Sequence, residues 1–189
     1  MTSTVDAPDW STIPKPVDDG ATRHLAGARM ASVCLQATDG EAVDLSALPG
    51  RTVVYAYPRT GRPGIENPVA GWDMIPGARG CTPQTCSFRD HFAELKRLGV
   101  DHLFGLSTQQ PDHQREAAER LHLPFALLSD AHLKLTRAMS FPTFDAAGMT
   151  LLKRFTLVLK DGKVEHVFYP VFPPDRNASD VIAWLARAA

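Results

Sequence analysis

Strand-like segments alternate with helical segments along most of this chain, and this order constrains the fold more than any other feature. Runs rich in branched and aromatic residues are followed by runs whose apolar residues recur every three or four positions. The predicted strands are 31–36, 42–45, 52–57, 103–107, 125–128, 151–159 and 164–168, and the predicted helices are 82–99, 112–121, 131–139 and 180–188. This alternation indicates an α/β sandwich with a central mixed sheet.

Two Asp-Gly turns predict the hairpins of this sheet. Asp39-Gly40 separates the first two predicted strands, and Asp161-Gly162 separates the last two. Asp-Gly readily adopts the positive φ angles that tight hairpin turns require.

The chain divides into an arm, one domain and an inserted loop. Residues 1–23 are rich in Pro, Asp and Thr and lack periodicity, which predicts a loosely attached N-terminal arm ahead of a domain spanning 24–189. Within the domain, residues 59–80 are dense in Gly and Pro and cannot form regular structure. Loops of this length in compact domains are often functional.

Charge and hydropathy exclude two classes of partner. The 189 residues include 20 Lys plus Arg and 21 Asp plus Glu, so the chain has no basic surplus for binding nucleic acid. No stretch reaches the roughly 18 consecutive apolar residues of a membrane span, and the first residues lack the basic start and apolar run of a signal peptide. We therefore expect a cytoplasmic protein with small-molecule or protein partners.

Two of the three cysteines, Cys81 and Cys86, lie close together at the start of a predicted helix. In a reducing compartment such a pair is catalytic, redox-sensing or metal-binding, unless both side chains are simply small buried hydrophobes. The seven histidines are scattered and no Cys-x2-Cys spacing occurs, so we expect no metal and no cofactor. Cys34 lies in the first predicted strand and is predicted to be a core residue.

The predicted helix start favours a reactive thiolate at Cys81. Free backbone N–H groups and the positive end of the helix dipole stabilise an anion at this position. Thr82 and Pro83 are predicted to cap the helix and form its first turn. Arg79 and Arg89 are candidate sources of further positive charge.

The string GCTPQTCSFRDHFAEL, residues 80–95, resembles the active-site segment of peroxiredoxins of the bacterioferritin-comigratory (Q) type. Three further segments resemble the same family in the same order, namely residues 39–58, 104–130 and 153–168. The resemblance covers most of residues 25–188. It implies a thioredoxin-like sandwich with a central mixed β-sheet flanked by helices.

By this resemblance Cys81 is the peroxidatic thiol, Cys86 the resolving thiol and Arg154 the cation that stabilises the thiolate and polarises the peroxide. The implied reaction reduces hydrogen peroxide or an organic hydroperoxide, passes through a Cys81 sulfenic acid and a Cys81–Cys86 disulfide, and is recycled by thioredoxin or a similar dithiol. Five helical residues separate two Cα atoms by about 8–9 Å, whereas a disulfide needs less than about 7 Å. The first turn of the helix must therefore unwind during the cycle.

The sequence departs from the family pattern immediately before the peroxidatic cysteine. That family places a threonine or serine three residues earlier in a short loop, whereas this chain has the insertion 59–80 and Ala78. Thr60 and Thr82 are the two candidates for the missing hydroxyl.

The residues that border the motif are predicted to bind substrate; they are Tyr57, Pro58, Thr60 and Phe88. Trp72, Ile65 and Met74 of the inserted loop either form a lid over an apolar pocket or anchor the loop to the body. Two alternatives to a peroxidase remain, a redox sensor or binding module and a thiol enzyme acting on a metabolite. The chain is expected to be a monomer or a homodimer.

Overall fold

The computed structural model describes residues 8–188, which form one mixed sheet, one small hairpin and the helices that cover them. The strands are β1 Cys34–Ala37, β2 Ala42–Asp44, β3 Arg51–Ala56, β4 His102–Ser107, β5 Leu127–Ser129, β6 Thr143–Ala146, β7 Met149–Leu152, β8 Phe155–Lys160 and β9 Lys163–Phe168. The α-helices are α1 Cys81–Asp90, α2 Phe92–Arg97, α3 Pro111–Arg120, α4 Lys134–Met139 and α5 Asn177–Arg187.

The main sheet has seven strands in the order β2-β1-β5-β4-β3-β8-β9. β3 pairs in parallel with β4 and antiparallel with β8, and β4 pairs in parallel with β5. The predicted mixed α/β sandwich is therefore confirmed. The expected Asp-Gly hairpins are also present, joining β1 to β2 and β8 to β9.

β3 is central because its side chains pack on both faces of the sheet. Val54 and Ala56 belong to a core shared with α4 and the β1–β2 hairpin. Val53 and Tyr55 belong to a second core, shared with α1, α2, α3 and α5. A strand buried on both faces reads as a continuous apolar run, which is why its sequence is so recognisable. β3 leads directly into the inserted loop.

Three predicted elements are wrong in detail around the site. The helix predicted to continue to Gly99 is interrupted at His91 between α1 and α2. Gly80, with φ 107°, rather than Thr82, is the N-cap of α1, and no side chain caps this end. The strand predicted over 151–159 is two strands, because Leu152 ends β7 and residues 153–154 turn the chain into β8; β6, the partner of β7, was missed.

Cys34 corrects another prediction, because its side chain is exposed rather than in the core. Burial alternates along β1, with Leu35 and Ala37 facing inwards and Cys34 and Gln36 facing outwards. Alternate side chains on a strand point to opposite faces. Because Leu35 and Ala37 face the core, Cys34 must face the solvent.

The described part of the N-terminal arm is fastened to the domain. Trp10 Nε1 donates to Asp175 at 2.9 Å, while Lys153 Nζ and Tyr169 OH donate to Asp19 at 2.7 and 2.8 Å. The Lys153 bond, with the Tyr169 bond second, lowers the pKa of Asp19 to about 2. The division at residue 23 stays a prediction, and residues 1–7 lie outside the described chain. Within 8–188, no helix is both long and apolar enough to cross a membrane.

Candidate active site

Cys81 is the first residue of α1 and is 3% exposed. Two N–H groups converge on its sulfur: Arg154 Nη2 lies 3.2 Å away, and the backbone N–H of Arg59 lies 3.4 Å away. The thiol itself lies 3.6 Å from the carbonyl oxygen of Ala78, to which it donates. The guanidinium and the second N–H donor are therefore placed to donate hydrogen bonds to this sulfur at the start of a helix.

Arg154 is held rigidly, between β7 and β8, and is 2% exposed. Its Nη1 donates to Gln84 Oε1, and its Nη2 lies 3.1 Å from the carbonyl oxygen of Gly77 and 3.2 Å from that of Arg79. The guanidinium therefore fixes the end of the inserted loop as well as contacting the thiol. Such a preset donor is not reorganised when charge develops next to it.

A series of buried, hydrogen-bonded polar side chains holds Arg154 in place. Gln84 Nε2 donates to Asn177 Oδ1 at 2.9 Å, and Thr156 Oγ1 donates to the same oxygen at 2.7 Å. All three side chains are at most 1% exposed. Gln84 and Asn177 were missed by sequence analysis. The spacing of three residues between Cys81 and Gln84 places them on one helix face and was a usable signal.

The two arginines predicted to add charge at Cys81 are engaged elsewhere. Arg79 Nη1 forms an ion pair with Asp73 at 2.6 Å, and both side chains are more than one third exposed. Arg89 donates to Asp90 at 2.8 Å and to the carbonyl oxygen of Leu121 at 3.0 Å. The guanidinium that contacts the sulfur belongs to Arg154, which lies 73 residues further along the chain.

Cys86 lies one and a half turns further along α1 and is half-buried. Burial raises the pKa of its thiol, and the positive charge of Arg89 offsets part of that effect. Both cysteines are free thiols in this structure. In the intact helix the two cannot bond, since their Cα atoms are about 8–9 Å apart at ideal helical geometry.

Three of the predicted substrate-binding residues are buried in the interior rather than exposed at the surface. Tyr57 and Phe88 are 0% exposed and share a core with Cys81, and Pro58 is also buried. Phe88 stacks on Tyr55 with ring centroids 4.4 Å apart. None of the three lines the cavity that contains Cys81.

Thr60, the fourth predicted residue, is also fully buried, and Gln109 occupies its polar groups. The hydroxyl and backbone N–H of Thr60 both donate to Gln109 Oε1, at 3.1 and 3.0 Å. Gln109 Nε2 donates back to the Thr60 carbonyl oxygen at 3.1 Å. This reciprocal contact fixes the start of the inserted loop, and the sequence contained no local signal for Gln109.

A cavity of about 320 Å³ opens onto Cys81, with walls made by the inserted loop and the first turn of α1. Thr82 lines it, whereas the Ala78 side chain that stands in the family's hydroxyl position carries no polar group. Trp72 is 6% exposed and packs with Ala78 and Leu151, so it anchors the loop to the body. Ile65 and Met74 are 65% and 62% exposed.

Comparison with known proteins places this site in a family. Residues 23–182 match the family model for Redoxin. The chain is 33% identical over 156 residues to peroxiredoxin Bcp of Escherichia coli strain K12, covering 80% of this chain and 88% of that one. It is 32% identical over 156 residues to chloroplastic peroxiredoxin Q of Gentiana triflora, covering 82% of this chain but 63% of that protein.

Among solved structures, the peroxidoxin BcpB of Mycobacterium tuberculosis superposes with a TM-score of 0.69 at 26% identity, covering 87% of this chain and 97% of that one. Peroxiredoxin Q of Xanthomonas campestris gives 0.68 at 21% identity, covering 87% and 98%, and supports the fold. The chain spans less than two thirds of the plant relatives that it matches. With its thioredoxin-like fold and the ordered matches along 23–182, the chain belongs to the Redoxin family as a peroxiredoxin of the Q/Bcp type.

Proposed function

We propose that this protein is a thiol-dependent peroxidase that reduces hydrogen peroxide or organic hydroperoxides. The observation that carries the proposal is the pair of N–H donors, from Arg154 and Arg59, aimed at the sulfur of Cys81 inside an open cavity. The Cys81 thiolate attacks one peroxide oxygen, an S–O bond forms, and the O–O bond breaks. The departing oxygen takes a proton and leaves as water or an alcohol, with Arg154 stabilising its developing charge.

The Cys81 sulfenic acid then condenses with Cys86, releasing water and forming a disulfide. This step requires the first turn of α1 to unwind, because the helical separation exceeds disulfide geometry. No side chain caps the N-terminus of α1, so the first turn of this helix is held mainly by packing against the rest of the domain. Thioredoxin or a similar dithiol in a reducing cytoplasm returns the pair to thiols.

Thr82 supplies the hydroxyl that Ala78 lacks. Thr82 lines the Cys81 cavity, whereas the Thr60 hydroxyl is committed to Gln109. A hydroxyl in the same cavity as the sulfur can accept a hydrogen bond from the peroxide O–H and donate one to the distal oxygen, which holds the peroxide in line for attack.

Titrating the reduced protein with hydrogen peroxide and with cumene hydroperoxide tests the proposal. Stopped-flow measurement of peroxide loss should show stoichiometric consumption, and peptide mass spectrometry should find a Cys81–Cys86 disulfide. Cys81→Ser should abolish consumption. Cys86→Ser should still consume one equivalent and accumulate a dimedone-reactive sulfenic acid at Cys81. A Cys81 that stays reduced in millimolar peroxide would reject the peroxidase and favour a thiol enzyme acting on a metabolite.

The two chemical steps should differ in their pH dependence. Because burial raises the pKa of Cys86, its thiol is protonated at neutral pH and its thiolate fraction grows as pH rises towards and beyond 9. Disulfide formation should therefore accelerate up to about tenfold per pH unit between pH 7 and 9 where ionisation of this thiol limits the rate. Quench-flow with dimedone trapping separates this step from sulfenic acid formation. A pH-independent second step would show that unwinding limits it instead.

A further inference from the structure

Arg59 is the first residue of the inserted loop, and its side chain has a charge without a matching anion. Its Nη1 contacts the sulfur of Met149 at 3.4 Å, and a thioether is a weak acceptor. Within residues 8–188 no carboxylate lies within 4 Å of this guanidinium. The side chain is nevertheless half-buried, which is costly for a cation that has no partner.

The other arginines that line the cavities around Arg59, namely Arg62 and Arg79, are paired with carboxylates. Arg62 lies 3.5 Å from Glu116, which also binds Arg120 at 2.6 Å. Arg79 is neutralised by Asp73 at 2.6 Å. Among the arginines that line the Cys81 cavity, Arg59 therefore has no carboxylate partner within residues 8–188, and Arg154, which also has none there, is committed to Gln84 and the loop carbonyls.

Arg59 also stands where three cavities meet. It lines the cavity of about 320 Å³ that contains Cys81, and a recess of about 200 Å³ enclosed by the inserted loop. It further lines a larger cavity of about 510 Å³, whose walls include Leu133, Met149 and Leu151. Glu66 lines the small recess, and Asp73, which is paired with Arg79, lines the Cys81 cavity, whereas no acidic residue lines the large cavity. In the large cavity an anion would face Arg59, and no carboxylate on the wall would repel it.

The backbone N–H of Arg59 lies at the reacting atom, and the guanidinium at the end of its side chain lies against Met149. That N–H is 3.4 Å from Cys81 Sγ, and an extended arginine carries its guanidinium about 7 Å from its own backbone nitrogen. A ligand with one group at the sulfur and another at the guanidinium must therefore span several bonds. Hydrogen peroxide is too small to use both points.

We propose that Arg59 is a specificity residue that binds the carboxylate of an organic hydroperoxide while the peroxide group of that molecule lies at Cys81. This rests on the proposed peroxidase function and names its substrate class. The carboxylate takes no part in the chemistry: the O–O bond breaks, Cys81 becomes a sulfenic acid, and the carboxylate leaves on the alcohol product. A guanidinium–carboxylate contact in a half-buried cavity is a strong, charge-assisted hydrogen bond.

A matched pair of substrates tests the proposal: cumene hydroperoxide bearing a para-carboxylate and the methyl ester of the same compound. The two have the same peroxide and the same ring and differ in charge. The rate constant for Cys81 oxidation in the wild-type protein should be about tenfold higher for the carboxylate than for the ester. This ratio should fall towards one in Arg59→Met and be partly retained in Arg59→Lys. Increasing ionic strength should lower it less in this half-buried site than at an exposed one.

Using the ratio within each variant removes general effects on folding or on thiol reactivity. Arg62→Met is the matched control, because it deletes the same charge from the same loop at a residue already paired with Glu116, and it should keep the ratio. Equal rates for the two compounds in the wild-type protein, or an equal fall in Arg62→Met and Arg59→Met, would overturn the inference while hydrogen peroxide still oxidises Cys81. If no peroxide oxidises Cys81, the proposed function fails and the inference fails with it.

Discussion

Replacing Arg154 with methionine is expected to lower the rate of Cys81 oxidation by hydrogen peroxide about 100- to 1,000-fold, the usual cost of removing a preset donor from a developing charge. Arg154 Nη2 lies 3.2 Å from the sulfur, so the variant loses both stabilisation of the thiolate and polarisation of the peroxide. Stopped-flow kinetics with the reduced protein measures the second-order rate constant directly. A folded variant whose rate stays within tenfold of the wild type would contradict this role.

Two further variants separate charge, geometry and folding. Arg154→Lys keeps a cation but loses the fork that also reaches Gln84 and the loop carbonyls, and it should recover only part of the rate. Lys153→Met deletes a positive charge at the adjacent position, where the ammonium pairs with Asp19 at the surface, and it should stay within about threefold of the wild type. Thermal unfolding of each variant shows whether the fold survives the loss of the buried guanidinium.

Gly80→Ala is expected to destabilise the protein by about 2–4 kcal/mol, because two costs combine at this residue. The backbone has φ 107°, which L side chains rarely adopt. A Cβ there would also lie 2.6 Å from Pro174 Cγ and 2.8 Å from Trp10 Cη2. Denaturant unfolding measures the loss of stability. Because Gly80 directly precedes Cys81, thiol reactivity should fall as well.

Gly64→Ala is the matched control for this effect. Gly64 lies in the same inserted loop with φ 75°, and a Cβ there would meet no atom within 4 Å. It should lose about 1 kcal/mol from backbone strain alone. Equal losses in the two variants would show that the contacts of Gly80 with Pro174 and Trp10 add nothing.

The fold was predictable where local chemistry decides the structure. The β3 sequence is apolar because both faces of that strand are buried, and Asp161-Gly162 forms the expected turn. The orientation of β1 was not predictable in the same way. A one-residue change in register exchanges the inward and outward faces of a strand, and the tertiary pairing with β5, which places Cys34 outside, is not written in residues 31–36.

The candidate site also combines features that the local sequence predicts with features that depend on tertiary contacts. The positions of Cys81 and Cys86 follow from one helix, and their roles and that of Arg154 came from resemblance to a family. Gln109 contacts Thr60 across 49 residues of sequence, and Asn177 contacts Gln84 across 93. No local sequence pattern could therefore predict either contact. The lack of a carboxylate partner for Arg59 among residues 8–188 depends on the orientation of each nearby acidic side chain, which the sequence does not specify.

The contact between Trp10 and Asp175 closes 165 residues of chain into one loop beside the reactive cysteine. Inside this loop, Arg154 contacts Cys81 across 73 residues of sequence. Closing such long loops costs conformational entropy, and contacts of large sequence separation slow folding. During synthesis Cys81 leaves the ribosome well before Arg154. The contact between the two side chains can therefore form only after most of the chain has been made.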